Sequence, residues 1–335
     1  MLRHFLWAIR LISAERRSLR PAARFALRGL VYPVPTLRLL RYFAQVAPSF
    51  PSRRVQVDAL LKIGREHVRL GLTADERVDL LIAHYTTLMR GIGDAALASF
   101  LKCEPIRLAR MTDTGDAYDI SLSHTPFGYR REGEATISVQ SCATGIRLAD
   151  LTFCIGRMPT GALCLRIGGI QGPPPPLGKD AVKAATKSLD GLRPKCVAME
   201  AVYQLGRYFG TERVLATALS SHILYGKKAP RMHLGSYDAF WEELGGVRLA
   251  CGDYLLPDRL PHRVAAEVPA KRRKDWERRQ QRIEALTSEI QRTMQALQPM
   301  GLAAACDPRP ARSRSRTLAH HLPLAALVSA TTLCG

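Results

Sequence analysis

The apolar positions of this chain change their period part way along. Up to about residue 90 they recur at helical spacing. Leu2, Phe5, Leu6, Ile9 and Ile12 form one such stripe, interleaved with Arg3 and Arg10. Residues 55–70 and 73–90 predict two further helices, and Thr73 followed by Glu76 has the spacing of a capping box. From about residue 116 the pattern shortens to that of strands. Residues 117–124, 134–141, 149–155 and 163–170 read as an antiparallel meander with turns near Gly133, Gly145 and Gly161. Pro173–Pro176 cannot join a ladder and end it. Helices are then predicted over 179–189 and from Pro194 to Phe209, the second stopped by Gly210. A strand over 214–221, a short helix over 238–244, a strand over 247–255 and a long polar helix over 271–297 follow. This order is α+β: a helical N-terminal region, then an antiparallel-to-mixed sheet flanked by helices.

Punctuation divides the chain into three parts. Residues 1–54, broken by Pro21, Pro33, Pro35, Pro48 and Pro51, read as a basic helical arm. Residues 55–298 read as a single α+β domain, helical over 55–115 and sheet-bearing over 116–298. Residues 299–335 are rich in Ala, Arg and Ser and read as a loose basic tail.

Charge sharpens this division. Of the net +20, the arm holds eleven arginines against one acid, Glu15. Residues 271–282 hold seven cations against two acids, and the tail four arginines against one aspartate. The rest is near neutral. Positive charge gathered in this way seeks anionic lipid, nucleic acid or a phosphorylated small molecule. The eight cysteines include no C-x-x-C pair, which excludes zinc-ribbon and thioredoxin motifs and suits a reducing cytosol. The first twenty residues lack the unbroken apolar core of a signal peptide. The late apolar run 322–334 has thirteen residues and contains Pro323, too short to span a bilayer. The expected location is cytoplasmic, peripheral on the inner membrane if the arm lies on anionic lipid, where each basic residue contributes about 1 kcal/mol. The competing expectation packs the N-terminal apolar stripe on its own domain.

Five short stretches carry candidate chemistry. Gly191, Arg193 and Lys195 combine a flexible glycine, two cations and a helix start, the parts of an anion cradle. The alternative pairs the two cations with the domain's own acids, Asp190 or Glu200. Gln171 and Gly172, after Gly168-Gly169, mark either a bulge approached by a ligand or a plain strand end. His222 and His124 each close a predicted strand and suit a general base, or a hydrogen-bonded structural histidine. Glu200 and Tyr203 share one face of the Pro194 helix. No metal-ligand spacing is present. Ser220-Ser221 lacks a Gly-x-Ser-x-Gly context, which disfavours a serine nucleophile. The run around Trp276 lacks a second helix after a tight turn, which disfavours specific DNA reading.

Four blocks in order carry a resemblance: Ile167-Gly168-Gly169-Ile170-Gln171-Gly172-Pro173, Thr186 to Lys195, Tyr237-Asp238-Ala239-Phe240-Trp241, and the basic run 271–279. They resemble the VirK/YbjX family of Gram-negative bacteria over roughly residues 30–295. That resemblance implies a cell-envelope role, since family members are linked to virulence, surface-protein display and resistance to cationic antimicrobial peptides. The later part also resembles the acyl-CoA N-acyltransferase fold, with Tyr237, Phe240, Trp241, Leu244 and Gly245 as its aromatic helix. It departs from that fold where a phosphate loop should follow the central strand, because prolines and an insertion stand there, and Pro194 removes an N–H. The resemblance implies transfer from an acyl-CoA or acyl-carrier thioester to an amine or hydroxyl of a lipid or envelope precursor. His222 would be the base, helped by His124 or Glu200. Gln171, Gly172, Gly191, Arg193 and Lys195 would hold the donor's phosphates. The alternative is a non-enzymatic accessory protein that binds anionic lipid or nucleic acid through its basic arms. The enzymatic reading expects His222 and Arg193 to line one hollow.

Overall fold

Eight strands in the order β1-β2-β3-β4-β5-β6-β8-β7 form one sheet in the computed structural model of the chain. The structure describes residues 2–299, apart from 48–49, 51, 114, 127–128, 174–177, 226–236 and 263–264. Six helices come first: α1 (Leu2–Arg16), α2 (Leu19–Val31), α3 (Pro33–Val46), α4 (Arg53–Lys62), α5 (Ala74–Gly91) and α6 (Asp94–Leu101). The meander is β1 (Ile106–Thr112), β2 (Ala117–His124), β3 (Ala135–Ser141), β4 (Arg147–Arg157) and β5 (Leu163–Gln171). Then come α7 (Gly178–Ser188), α8 (Pro194–Tyr208), β6 (Arg213–Ala216), α9 (Tyr237–Glu243), β7 (Val247–Arg248), β8 (Tyr254–Leu256) and α10 (Ala270–Ala296).

Every strand pair is antiparallel except β5 with β6. A parallel step needs a crossover, and α7 and α8 supply it. Strand β2 alternates, burying Tyr118, Ile120, Leu122 and His124. Strands β3, β4 and β5 are buried on both faces, so polar side chains such as Thr136, Ser138, Asp150, Thr152 and Arg166 are buried along with the apolar ones. Helices α5 and α8 both pack on β4, and α10 packs on α8 and β1. Trp241, fully buried, donates its Nε1–H to the Thr217 carbonyl at 3.1 Å and so pins α9 to the exit of β6.

The α+β expectation holds, and so does the capping box: Thr73 accepts from the Glu76 N–H while Glu76 accepts from the Thr73 N–H. Other elements differ. Helix α4 stops at Lys62 instead of running to residue 70. The strand expected over 214–221 ends at Ala216, and the chain turns through a 3-10 helix at Leu219–Ser221. The strand expected over 247–255 is a hairpin, bent at Gly252 with φ +89°. Within residues 55–115, read as helical, the chain forms a separate helix α6 and then strand β1, which departs from that reading. Most of the apolar stripe of α1 turns inward: Ile12 is fully buried, Ile9 is partly so and Phe5 stacks on Phe25 at 5.6 Å, while Leu6 stays exposed. Helices α1 to α3 thereby share one apolar core with the sheet. Among the described residues, no helix is long and apolar enough to cross a membrane. The expected tail beyond residue 299 lies outside the described residues.

Candidate functional site

Three glycines create the site by letting chain lie on chain. A Cβ on Gly168 would stand 1.9 Å from the Glu132 carbonyl oxygen, and one on Gly169 2.1 Å from Glu132 Oε2. A Cβ on Gly133 would meet the Phe153 backbone at 2.7 Å. The segment before β3 can therefore press flat against β4 and β5, carrying Glu132 inward with it. A second segment locks it there. The Val68 N–H donates to the Arg131 carbonyl, and the Leu70 N–H to the Ser221 carbonyl, both at 2.7 Å. Val68 sits at φ +62°, a left-handed conformation that costs a β-branched residue about 1–3 kcal/mol. Residues 67–70 thus tie the turn before β3 to the chain leaving β6.

Glu132 is 1% exposed. Its Oε2 lies 3.4 Å from Gln171 Nε2 and 3.5 Å from Thr152 Oγ1. Burial pushes its pKa up to about 7, against the smaller opposing effect of those two donors. Gln171 also donates to the Tyr237 hydroxyl oxygen at 2.7 Å, and the Ile170 N–H donates to the same oxygen at 3.1 Å. The Tyr237 ring meets the His222 ring edge-on at 5.3 Å. His222 Nδ1 accepts from the Leu224 N–H at 3.3 Å, which assigns the neutral ring's proton to Nε2. That Nε2 points at Glu132 Oε1 from 3.7 Å and has no hydrogen-bond partner, although the residue is fully buried. Burial, with Arg131 adding to it, lowers the His222 pKa to about 4. Near neutral pH the imidazole is therefore uncharged and the carboxyl is half ionised, the protonation balance of a general base.

A second carboxyl two residues on has the opposite character. Glu134, fully buried, is bonded by Lys62 Nζ and the Tyr85 hydroxyl, with His67 Nε2 at 3.0 Å and His124 Nε2 at 3.6 Å. Burial alone would raise its pKa, but the Lys62 charge and the two imidazoles hold it well below the usual carboxylate range. His124 reaches Cys103 Sγ at 3.8 Å through its other nitrogen. His67, Glu134 and Cys154 are close enough to share a metal ion. Lys62 already supplies the cation, however, and burial pushes the Cys154 thiol well above its ordinary pKa, away from the thiolate that a metal takes.

In front of Glu132 lies a cavity of ≈ 410 Å³, walled by Arg16, Lys62, Arg65, Arg130 and Arg131, with Asp58 among them. Asp58 pairs with Arg16 and, at 2.5 Å, with Arg130. Arg65 has no carboxylate partner among the described residues. Its pKa is lowered by burial and then by Arg28, Arg131, Arg24 and Arg130, every one a cation. Such crowding is unfavourable until an anion enters.

The structure brings His222 and Gln171 together on Glu132, and Gly172 follows with open space around it. His124 belongs to the Glu134 cluster. Glu200 faces α10, accepting from Gln204 at 2.6 Å and Thr287 at 2.9 Å. Arg193 pairs with Glu243 at 2.5 Å, and both Arg193 and Lys195 lie over the Phe240 ring at 5.6 Å. Gly191 lies under Arg279, whose Nη2 is 2.4 Å from where a Cβ would be. The hollow expected to join His222 with Arg193 is not this cavity: His222 packs at the Tyr237 end of α9, and Arg193 pairs at its Glu243 end. Arg278 and Arg282 of the basic run bind Asp190. Sequence reasoning missed Glu132, Glu134, Lys62, Arg65 and Arg131. The available signal was Arg130-Arg131-Glu132-Gly133-Glu134, a dense charge run at the threshold of a buried strand.

Comparison with known proteins agrees with the motifs. A family described as "Protein of unknown function (DUF535)" matches residues 14–292. The "Uncharacterized protein YbjX" of Escherichia coli (strain K12) is 27% identical over 285 residues, 82% of this chain and 83% of the relative. An uncharacterized protein of Haemophilus influenzae is 24% identical over 220 residues, 65% of this chain and 72% of the relative. The VirK/YbjX resemblance is therefore borne out. No solved structure matches.

Proposed function

We propose an activity for this chain, which belongs to the DUF535 family of proteins of unknown function: an enzyme that uses Glu132 as general base on an anionic substrate seated in the arginine-walled cavity. One observation carries the reading. Glu132, whose carboxyl ionises near pH 7, lines a cavity that also holds five cations against one other acid, Asp58. A phosphate-bearing substrate would neutralise Arg65 and Arg131 and bring its nucleophile to Glu132. His222 Nε2–H, unpartnered behind the carboxyl, would orient it or steady its charge once ionised.

The reaction class we assign is acyl transfer. Support comes from the strand order: one parallel step crossed by helices, an aromatic helix, and a last strand pair whose order is reversed in the sheet. This order is the one that the acyl-CoA N-acyltransferase resemblance implies, and the site lies beyond the carboxyl ends of the parallel pair, where ligands of such sheets bind. In the step, the acceptor's amine or hydroxyl attacks the thioester carbonyl. Glu132 takes its proton, the C–S bond breaks, and the proton passes to the leaving sulfur. A coenzyme A or acyl-carrier thioester is the donor, and a phosphate-bearing lipid or envelope precursor the acceptor, which fits the envelope role that the VirK/YbjX resemblance implies. Arg193 and Lys195 have no part, since Glu243 and Phe240 occupy them.

The test follows thiol release from acyl-CoA in the presence of phosphatidylethanolamine or an aminosugar phosphate. The rate should climb through about pH 7 and fall at least ~100-fold in Glu132→Gln. Inorganic pyrophosphate should raise the melting temperature of the wild type and not of Arg65→Gln. Pyrophosphate binding with no thiol release under any condition would favour a non-enzymatic binding protein. An unchanged rate in Glu132→Gln would refute the assignment.

A further inference from the structure

Helix α2 shows solvent a face that a water-facing helix should not have. Leu19 and Leu30 are each 77% exposed, Leu27 64% and Val31 61%. At 100° per residue, Leu19, Leu30, Ala23 and Leu27 fall within one quarter of the helix circumference. Arg20 and Arg24 border that stripe, both exposed. Arg28 comes next, lying across Gly64. Pro21, beside Arg28 on the circumference, lines the arginine-walled cavity. The far side is buried by Ala22, Phe25 and Gly29. Going round the helix, one meets apolar side chains, then arginines, then the cavity mouth, then the core. The stripe continues past the helix end in Val34, 62% exposed.

We propose that this face of α2, with Val34, docks on an anionic lipid bilayer. The leucines and valines enter the acyl boundary, and Arg20 and Arg24 sit at phosphate level, with Arg28 turned to the cavity side. The expectation of a membrane-lying arm is thereby moved from α1, whose Phe5, Ile9 and Ile12 pack on the core, to α2. Charge selects this occupant over others. No Asp or Glu occurs between residues 16 and 57, so a second copy set on this face would bring arginines against arginines. The four arginines at 309–316 have the wrong sign to lie beside Arg20 and Arg24, and the uncharged apolar run 322–334 is the competing cover that removal of residues 301–335 tests. An apolar stripe rimmed by arginine is what an interfacial helix presents. The docked pose sets the cavity mouth beside the lipid headgroups, and only this last point rests on the proposed function.

The full chain should co-sediment with phosphatidylcholine vesicles containing 30% phosphatidylglycerol, and much less with phosphatidylcholine alone. Leu27→Asp with Leu30→Asp should weaken binding at least ~tenfold with an unchanged melting temperature, both positions being exposed. Arg20→Gln and Arg24→Gln should each weaken it about fivefold. Equal binding by the Leu27→Asp, Leu30→Asp protein would overturn the proposal. So would a wild-type dimer that those changes dissociate, or binding that appears only after removal of residues 301–335. Failure here leaves the acid–base reading standing, because pyrophosphate binding is measured without vesicles.

Discussion

Replacing Glu132 by Gln keeps its shape and removes its titration. Burial moves the pKa from 4.5 to about 7. At 1.36 kcal/mol per pH unit, that interval is worth on the order of 3 kcal/mol. The sign follows from proton counts. Between pH 4.5 and 7 the folded protein keeps a proton on Glu132 that the unfolded chain has lost, so stability falls as pH rises through this window and then levels off. Gln has no such cost. Urea unfolding of both proteins at half-unit steps from pH 4.5 to 8.5 gives a difference curve in which every other titrating group cancels. That curve should change in favour of Gln by on the order of 3 kcal/mol between pH 4.5 and 7 and be flat above about 7.5. A constant offset from the altered hydrogen bond to Gln171 does not matter, since only the slope is read. A flat difference across the whole range would mean that Glu132 ionises like a surface carboxylate, and the general-base assignment would fail with it.

Other groups answer to equally direct tests. Lys62→Met leaves Glu134 buried without its cation and should cost about 3–5 kcal/mol in urea unfolding, with much of it recovered by adding Glu134→Gln. Gly168→Ala drives a Cβ into the Glu132 carbonyl and should cost about 1–3 kcal/mol or more, whereas Gly172→Ala, with nothing within 4 Å, should stay within about 0.5 kcal/mol. His84 and His222, lowered by burial to about 3 and about 4, should give neutral imidazole nitrogen signals by NMR at pH 5. Because the unfolded chain protonates them near 6.5 and the fold does not, stability from these two is lost as pH falls below 6.5.

Much of the frame was legible because it depends on local pattern. Thr73 with Glu76, the alternation of 117–124, and the aromatic helix at Tyr237 each carry their own signal. Strand β1 was not legible: Arg107 and Arg110 interrupt its apolar pattern, and a register shift between Arg107 and Ala109 breaks the period. Of the site, His222 and Gln171 stood out because they follow strands at glycine-marked or hydroxyl-rich ends. Glu132 did not, since a carboxylate beside two arginines reads as solvated surface. What buries it is the missing side chains of Gly168 and Gly169, more than thirty residues along the chain, and no local window holds both.

The two carboxyls of that segment show why burial alone does not decide a role. Glu132 and Glu134 are both withdrawn from water, two residues apart, and their pKa values move in opposite directions. Lys62 accounts for the difference. Its ammonium is bonded to Glu134 and so cannot also quench Glu132, even though the residue lines the cavity that Glu132 faces. Glu134 is held ionised and spends its charge on cohesion among α4, α5 and β2. Glu132 keeps a proton that it can give up near pH 7, and the arginines before it keep charge that an anion can take. Environments that split neighbouring carboxyls in this way are what separate a structural ion pair from a working acid or base. Here the split requires Lys62 to be committed inward: a lysine turned to Glu132 instead would lower that pKa and leave Glu134 buried, uncompensated and unstable.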